Sequence, residues 1–221
     1  RMTSIYKIVF VVLVAGLSFG SEFIFMATTN VVGETEPCGW KKKPLGGLAR
    51  KATIIDQIKL TGSPVLVFDS GDVFFLDDTK YNDETRKIHA EIVAKSYEMI
   101  GCNSITPGHR DITEFGISYL RELEQLSASR FISCNSYDIG TSERIFDQYQ
   151  IELIDGLRVG YLGATSVFQH SETLIKEPIE DIRAAVNKLS KEADFIILLF
   201  NGTDSDLDRL QESDIDINLI L

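Results

Sequence analysis

The 221-residue sequence predicts an α/β fold, with a largely parallel sheet carrying helices on both faces. Short apolar runs rich in β-branched and aromatic residues alternate with segments of helical spacing along most of the chain. Polar clusters follow those runs, in the place where open α/β sheets hold their ligands. An Asp155-Gly156 dipeptide between two apolar runs adds an antiparallel hairpin.

Residues 22–28 read as the first strand, followed by a polar, glycine-bearing loop over 29–45. Residues 46–60 place Leu48, Ala52, Ile55 and Ile58 on one side, which is a helical period. Residues 64–68, bounded by Gly62 and Gly71, read as a buried strand. An aspartate-rich loop leads into a helix over 83–100, with Ile88, Ile92, Ala94, Tyr97 and Ile100 spaced for burial. Gly101 stands where a left-handed cap ends such a helix. A strand over 104–106, a helix over 115–126 and a strand over 130–134 ending at Asn135 follow. Residues 147–153 and 157–162 alternate around the Asp-Gly turn. The chain closes with a helix over 179–189, a strand over 194–200, a helix over 204–211 and a strand from 215 onward. No repeat, low-complexity run or linker interrupts the pattern, so residues 21–221 read as one domain.

Composition is that of a globular protein, 44% hydrophobic and 25% charged. The net charge of -11 argues against a nucleic-acid partner, which requires a basic face. A phosphorylated small molecule stays open, because a bound cation inverts the local field. At the amino end, residues 2–7 carry one lysine, residues 8–17 are apolar or small, and Ser18-Phe19-Gly20 offers small residues to a peptidase. This predicts a signal peptide over 1–20 and a secreted or periplasmic protein. The rival is an uncleaved anchor, in which case that segment is the chain's membrane contact. Arg1 precedes the apparent initiator Met2, and the last predicted strand runs to Leu221, so the expectation is a fragment truncated at its carboxyl end. The cysteines number three. Cys102 and Cys134, beside predicted strands, read as small buried hydrophobes rather than a disulfide; Cys38, in a Pro-Cys-Gly turn, reads as more exposed.

The candidate site residues follow predicted strands: Asn30, Asp69 and Asp72, the run Gly108-His109-Arg110-Asp111, Asn135 and Asn201. Asp69-Ser70-Gly71-Asp72 admits two readings, a metal- or phosphate-handling site and a capped turn. Oxygen and imidazole donors converging from separate loops suit metal-assisted phosphate chemistry. His89 and His170 read as surface residues.

The order of motifs resembles the calcineurin-like metallophosphoesterases, and within them the secreted bacterial 5'-nucleotidase family. The resemblance is carried by Thr28-Thr29-Asn30-Val31-Val32-Gly33, Gly46-Gly47-Leu48-Ala49-Arg50, Phe68-Asp69-Ser70-Gly71-Asp72 and Thr106-Pro107-Gly108-His109-Arg110-Asp111, then Cys134-Asn135 and Leu199-Phe200-Asn201. Glu36-Pro37-Cys38-Gly39 is similar to a turn of one bacterial subgroup, with Trp40 where that subgroup has a second cysteine. The resemblance implies a four-layer sandwich, two divalent metal ions, and a nucleotide or other phosphomonoester as substrate. Residue by residue, it places metal-ligand positions at Asn30, Asp72, His109 and Asn201 and catalytic positions at Arg110 and Asp111. The departures are chemical. The family's Asp-x-His corresponds to Asn30 and Val32; its Gly-Asn-His-Glu corresponds to Gly108-His109-Arg110-Asp111; its next histidine corresponds to Asn201. The family's last Gly-His-x-His is expected beyond Leu221. Arg110 can grip a phosphate bidentately but cannot donate and recover a proton. Asp72 alone is kept as the bridging ligand. Two functions follow as expectations: a phosphoester hydrolase with weakened or lost activity, and a non-catalytic relative that keeps the fold as a binding or interaction module.

Overall fold

A computed structural model of the protein describes residues 23–37, 46–76 and 81–221. The expected signal segment, Cys38 and Trp40 lie outside the described residues. None of the described helices is long and apolar enough to cross a membrane.

The first half builds one parallel sheet by repeated crossovers. The strand β1 (Ile24–Thr28) leads through helix α1 (Leu48–Lys59) to β2 (Val65–Asp69). Helix α2 (Asp83–Ile100) leads to β3 (Ser104–Ile105), and α3 (His109–Thr113) and α4 (Gly116–Ser127) lead to β4 (Arg130–Phe131). The four strands pair in parallel in the order β1-β2-β3-β4. A parallel pair cannot close through a tight turn, which is why a helix separates each strand from the next.

In the second half, β5 (Ser136–Asp138) precedes the hairpin of β6 (Tyr149–Ile154) and β7 (Leu157–Thr165). Then come β8 (Thr173–Ile175), α5 (Pro178–Leu189), β9 (Phe195–Asn201), α6 (Asp204–Glu212) and β10 (Leu219–Ile220). The second sheet has the order β10-β9-β7-β6, with β6 antiparallel to β7 and the other pairs parallel. Asp155 and Gly156 turn the hairpin with φ of 47° and 85°, the left-handed pair that a two-residue turn between twisted strands demands. A small antiparallel pair, β5 with β8, stands apart.

Strand side chains alternate between faces, so each sheet is buried twice. Val67, Ile105 and Phe131 pack outward onto Ile55, Val93, Tyr97 and Leu120 of the helices. Leu66, Phe68 and Ile132 face Val159, Tyr161, Ile197 and Leu199 between the sheets. Leu162, Ala164 and Leu198 pack onto Ile182, Val186, Leu189 and Leu210 of α5 and α6. The result is the expected helix–sheet–sheet–helix sandwich.

The helix α2 spans the expected residues, started by Asn82, whose side chain accepts from the Thr85 N–H at 2.9 Å, and ended by Gly101 at φ 74°. Its buried face differs from the expectation. Ala90, Val93, Ala94, Tyr97 and Ile100 are buried, while Ile88 and Ile92 are 51% and 47% exposed. Those two isoleucines flank Ala90 by two residues, about 160° round the helix. Cys102 and Cys134 are buried free thiols, as expected; burial pushes the Cys102 thiol up to about 12. The short elements α3, β5 and β8 carry too few residues to show a period, and β10 covers only two residues of the apolar stretch from 215.

Candidate functional site

The carboxyl ends of β1, β2 and β3 meet those of β7 and β9 across the sandwich. A cleft of about 420 Å³ opens there, and Asn30, Asp72, His109 and Asn201 all line it. Four positions expected from separate loops are thus brought to one place.

The cleft is built from a buried carboxylate upward. Asp69, the last residue of β2, is fully buried. It accepts from Tyr97 Oη at 2.6 Å, from Thr28 Oγ1 at 2.5 Å and from the Gly71 N–H at 3.0 Å, with Lys51 Nζ 3.9 Å away. Burial raises its carboxyl above the usual range, and Lys51 and the three donors pull it back. Asp69 therefore anchors the loop rather than facing a ligand. At Gly71, φ is +100° and a Cβ would stand 2.5 Å from the Thr106 carbonyl oxygen, so only glycine fits. Asp72 follows at φ 55°. The loop after β1 is laced onto this turn by the Asn30 N–H to Gly71 O at 2.9 Å and the Val32 N–H to Asp72 O at 2.8 Å. Asn30 and Val32 are themselves left-handed, at φ 53° and 45°. For a β-branched valine that is an outlier, of the kind that marks a functional loop.

Asp72 Oδ1 accepts the Arg110 N–H at 2.8 Å, which ties the β2 loop to the start of α3. A Cβ on Gly108 would lie 2.4 Å from that oxygen and 2.9 Å from Asn201 Oδ1, so the two side chains converge over this glycine. Asn201 ends β9 opposite Thr165 of β7. The exposed His109 sets its ring edge-on to Phe168, with centroids 4.7 Å apart.

The two positions assigned to catalysis do not line the cleft. Arg110 is half-buried and meets Asp72 through its backbone. Asp111 is fully buried and accepts from the N–H groups of Val73, Phe74 and Gly108 at 2.9, 3.1 and 3.0 Å. Burial pushes its carboxyl up to about 7, against those three donors. It holds the two loops together from beneath. Asn135 clamps the end of β7, donating to the carbonyls of Thr165 at 2.7 Å and Lys176 at 2.8 Å. His89 and His170 are half-buried and outside the cleft, with His170 Nδ1 3.1 Å from Thr173 Oγ1. A larger groove, about 850 Å³, runs between the edge strands β4 and β6, away from all these residues.

Residues the sequence reading passed over complete the wall: Thr165, Ser166, Val167 and Phe168 after β7, and Thr203 at the start of α6. The hairpin reading ended its second strand at 162. The strand runs on to Thr165 because β9 pairs with it in parallel over seven residues. The step from apolar to hydroxyl side chains at Thr165-Ser166 was the available signal.

A pair of divalent ions about 3.5–4 Å apart needs several anionic or imidazole donors. The cleft offers one carboxylate, one imidazole and two neutral carboxamides. Among the described residues there is no cluster of three or more His, Cys, Asp or Glu that could hold an ion. Glu34 and Glu36 are exposed and do not line the cleft, and Asp69 is taken up internally. The described donors do not fit a pair of ions.

The four layers, with a cleft where strand ends of both sheets meet, define the metallophosphoesterase fold. No protein-family model and no curated protein sequence matches the chain. Solved structures do. Sulfate thiohydrolase SoxB of Thermus thermophilus is 17% identical with a TM-score of 0.73, over 89% of this chain and 46% of that one. The NAD nucleotidase of Haemophilus influenzae is 15% identical with a TM-score of 0.75, over 89% and 37%. A 5'-nucleotidase precursor of Thermus thermophilus is 22% identical with a TM-score of 0.69, over 83% and 38%. The chain spans less than half the length of each of the three.

Proposed function

We propose that this chain is the metallophosphoesterase-type part of a secreted 5'-nucleotidase-like protein. It takes a nucleotide or another phosphomonoester in the cleft, and its hydrolytic activity is weakened or lost. The observation that carries this reading is the convergence of Asn30, Asp72, His109 and Asn201 on one cleft, with a single carboxylate among them. The place is that of a phosphoester site; the donor chemistry is not that of a strong metal pair. Asp72 lines the cleft, and its Oδ1 accepts the Arg110 N–H at 2.8 Å. Arg110 stands beside it but has no readily transferable proton at neutral pH. A metal-activated water therefore lacks a full ligand set among the described residues, and the side chain in the cleft able to exchange a proton is the imidazole of His109, not Arg110.

The second reading, a non-catalytic interaction module, is favoured by the same replacements at Asn30, Val32, Arg110 and Asn201. Metal analysis of the full-length protein, with turnover of p-nitrophenyl phosphate and adenosine monophosphate under added manganese or zinc, separates the outcomes. The proposal expects adenosine monophosphate binding with little or no turnover. Two firmly held metal ions per chain, with brisk turnover abolished by Asp72→Ala, would overturn the loss of activity. Absence of any ligand binding would leave the interaction module.

A further inference from the structure

The second sheet ends on one side at β6, an edge strand with the sequence Tyr-Gln-Ile-Glu-Leu-Ile. The backbone of such a strand alternates, one residue bonding to its neighbour strand and the next pointing away from it. Ile154 and Leu157 are partners across the two-residue turn, and the pair that closes such a turn exchanges both its hydrogen bonds. Gln150, Glu152 and Ile154 therefore bond to β7. The Asp194 N–H donates to the Arg158 carbonyl at 2.7 Å, so Arg158 faces the start of β9 and the alternation holds across β7. Tyr149, Ile151 and Leu153 are left with their N–H and C=O groups directed away from the sheet.

The first sheet's edge on the same side is closed by the chain itself. On β4, the Phe131 N–H donates to Glu124 Oε1 at 2.9 Å, and just beyond it the Ser133 N–H donates to the Asp147 carbonyl at 2.8 Å. The β6 strand carries no lysine or proline, the residues that commonly blunt an edge. Its side chains also suit a copy of itself. Tyr149, Ile151 and Leu153 share one face of the strand. The first two rest half-buried against the core that α5 covers, whereas Leu153 is 72% exposed. Antiparallel pairing about a two-fold axis at Ile151 brings Ile151 opposite its own copy and Leu153 opposite Tyr149, two apolar kinds of cross-strand pair. On the other face Gln150 comes opposite Glu152, an amide beside a carboxylate. Gln150 donates to Asp147, and Glu152 accepts from Asn103 and Tyr161, yet each keeps hydrogen-bonding capacity. We infer that β6 pairs antiparallel with β6 of a second copy of this chain, so that the second sheets of the two copies become one continuous sheet. None of the cleft-lining residues belongs to β6, and the inference is independent of what the cleft binds or hydrolyses.

Sedimentation of the full-length protein from roughly micromolar to millimolar concentration tests it. A reversible monomer–dimer equilibrium is expected, tightening with added salt because each chain carries a net charge of -11. Leu153→Glu sets a carboxylate on the apolar side of the edge and is expected to weaken the dimer roughly 10-fold or more at an unchanged melting temperature. Cysteines placed in a Cys38→Ser background read the register, Cys102 and Cys134 being buried. Ile151→Cys lies opposite itself, with Cα atoms about 5.5 Å apart, within reach of a disulfide. Leu153→Cys, at the more exposed position, lies opposite Tyr149 and roughly 13 Å or more from its own copy. Mild oxidation is expected to join Ile151→Cys into a covalent dimer and to leave Leu153→Cys unjoined. A monomer throughout the concentration series overturns the inference. So does a dimer that Leu153→Glu leaves unchanged, or oxidation that joins Leu153→Cys as readily as Ile151→Cys.

Discussion

Tyr97→Phe isolates the support beneath the Asp72 loop. Tyr97 and Asp69 are both fully buried, and the phenol donates to Asp69 Oδ2 at 2.6 Å. Phenylalanine keeps the ring, its contact with Phe74 and the Lys51 ammonium 4.2 Å from its centroid. What is lost is one hydrogen bond to a buried carboxylate, a loss of roughly 1.5–3 kcal/mol. The pH dependence has a definite sign. Burial already holds the Asp69 carboxyl above its unfolded value. Its contribution is therefore full below the unfolded carboxylate pKa and is lost as pH rises through the folded one. Removing a donor that favours the ionised form pushes the folded carboxyl higher still. The stability deficit of the variant is thus expected to be larger at pH 8 than at pH 4.5. Urea denaturation of both proteins at the two pH values measures it. A deficit below about 0.5 kcal/mol at both, or one that shrinks as pH rises, would refute the account of Asp69 as an internally bonded anchor.

Gly71→Ala places a Cβ 2.5 Å from the Thr106 carbonyl oxygen at a φ of +100°, so a loss of at least about 2–3 kcal/mol is expected in thermal melts. Asn30→Asp combined with Val32→His restores two ligand types, and histidine sits more comfortably than valine at the φ of 45° found at position 32. That variant is expected to gain a manganese-dependent rise in stability, about 2.7 kcal/mol at one hundred times the dissociation constant; no gain over the parent would show that the loop cannot present ligands. Cys102 and Cys134 are buried, with thiols raised by burial, so a thiol reagent is expected to label their peptides only after denaturation.

The four layers came from the resemblance; what the residues themselves made legible was the end of each central strand, a sharp change of polarity. Phe68 to Asp69 and Phe200 to Asn201 mark the carboxyl ends of β2 and β9, and both boundaries were read to within one residue. The Asp155-Gly156 turn was equally plain, since its two residues alone satisfy the backbone requirement. The helix faces were less plain. In α2 the isoleucines outrank alanine on any hydrophobicity scale, yet Ala90 and Ala94 are the buried pair and Ile88 and Ile92 are exposed. Close packing against α4 and the sheet selects small side chains there, and no single-residue scale records that constraint. The second sheet was hidden for a different reason. Its β7 belongs at once to an antiparallel hairpin and a parallel pair, and only the hairpin is local in sequence.

The site divides along the same line. Asp72, Asn30 and His109 lie a few residues beyond a strand and Asn201 is the last residue of β9, and all four line the cleft. Asp69 and Asp111 resembled them in sequence but proved to be the loops' internal fastenings, each fully buried and each accepting several donors. The distinction is one of burial, which residue type and spacing do not express. The fastenings lie beneath a cleft that offers one carboxylate, one imidazole and two carboxamides, and the chain's own hydrogen bonds shape the backbone cradle. Asn30 and Val32 are held in their left-handed turns by hydrogen bonds to the Asp72 loop, at 2.9 and 2.8 Å. Those two bonds are made by backbone groups, so they do not depend on the chemistry of the side chains at positions 30 and 32. The shape of the two loops and the donor set that lines the cleft therefore rest on different residues.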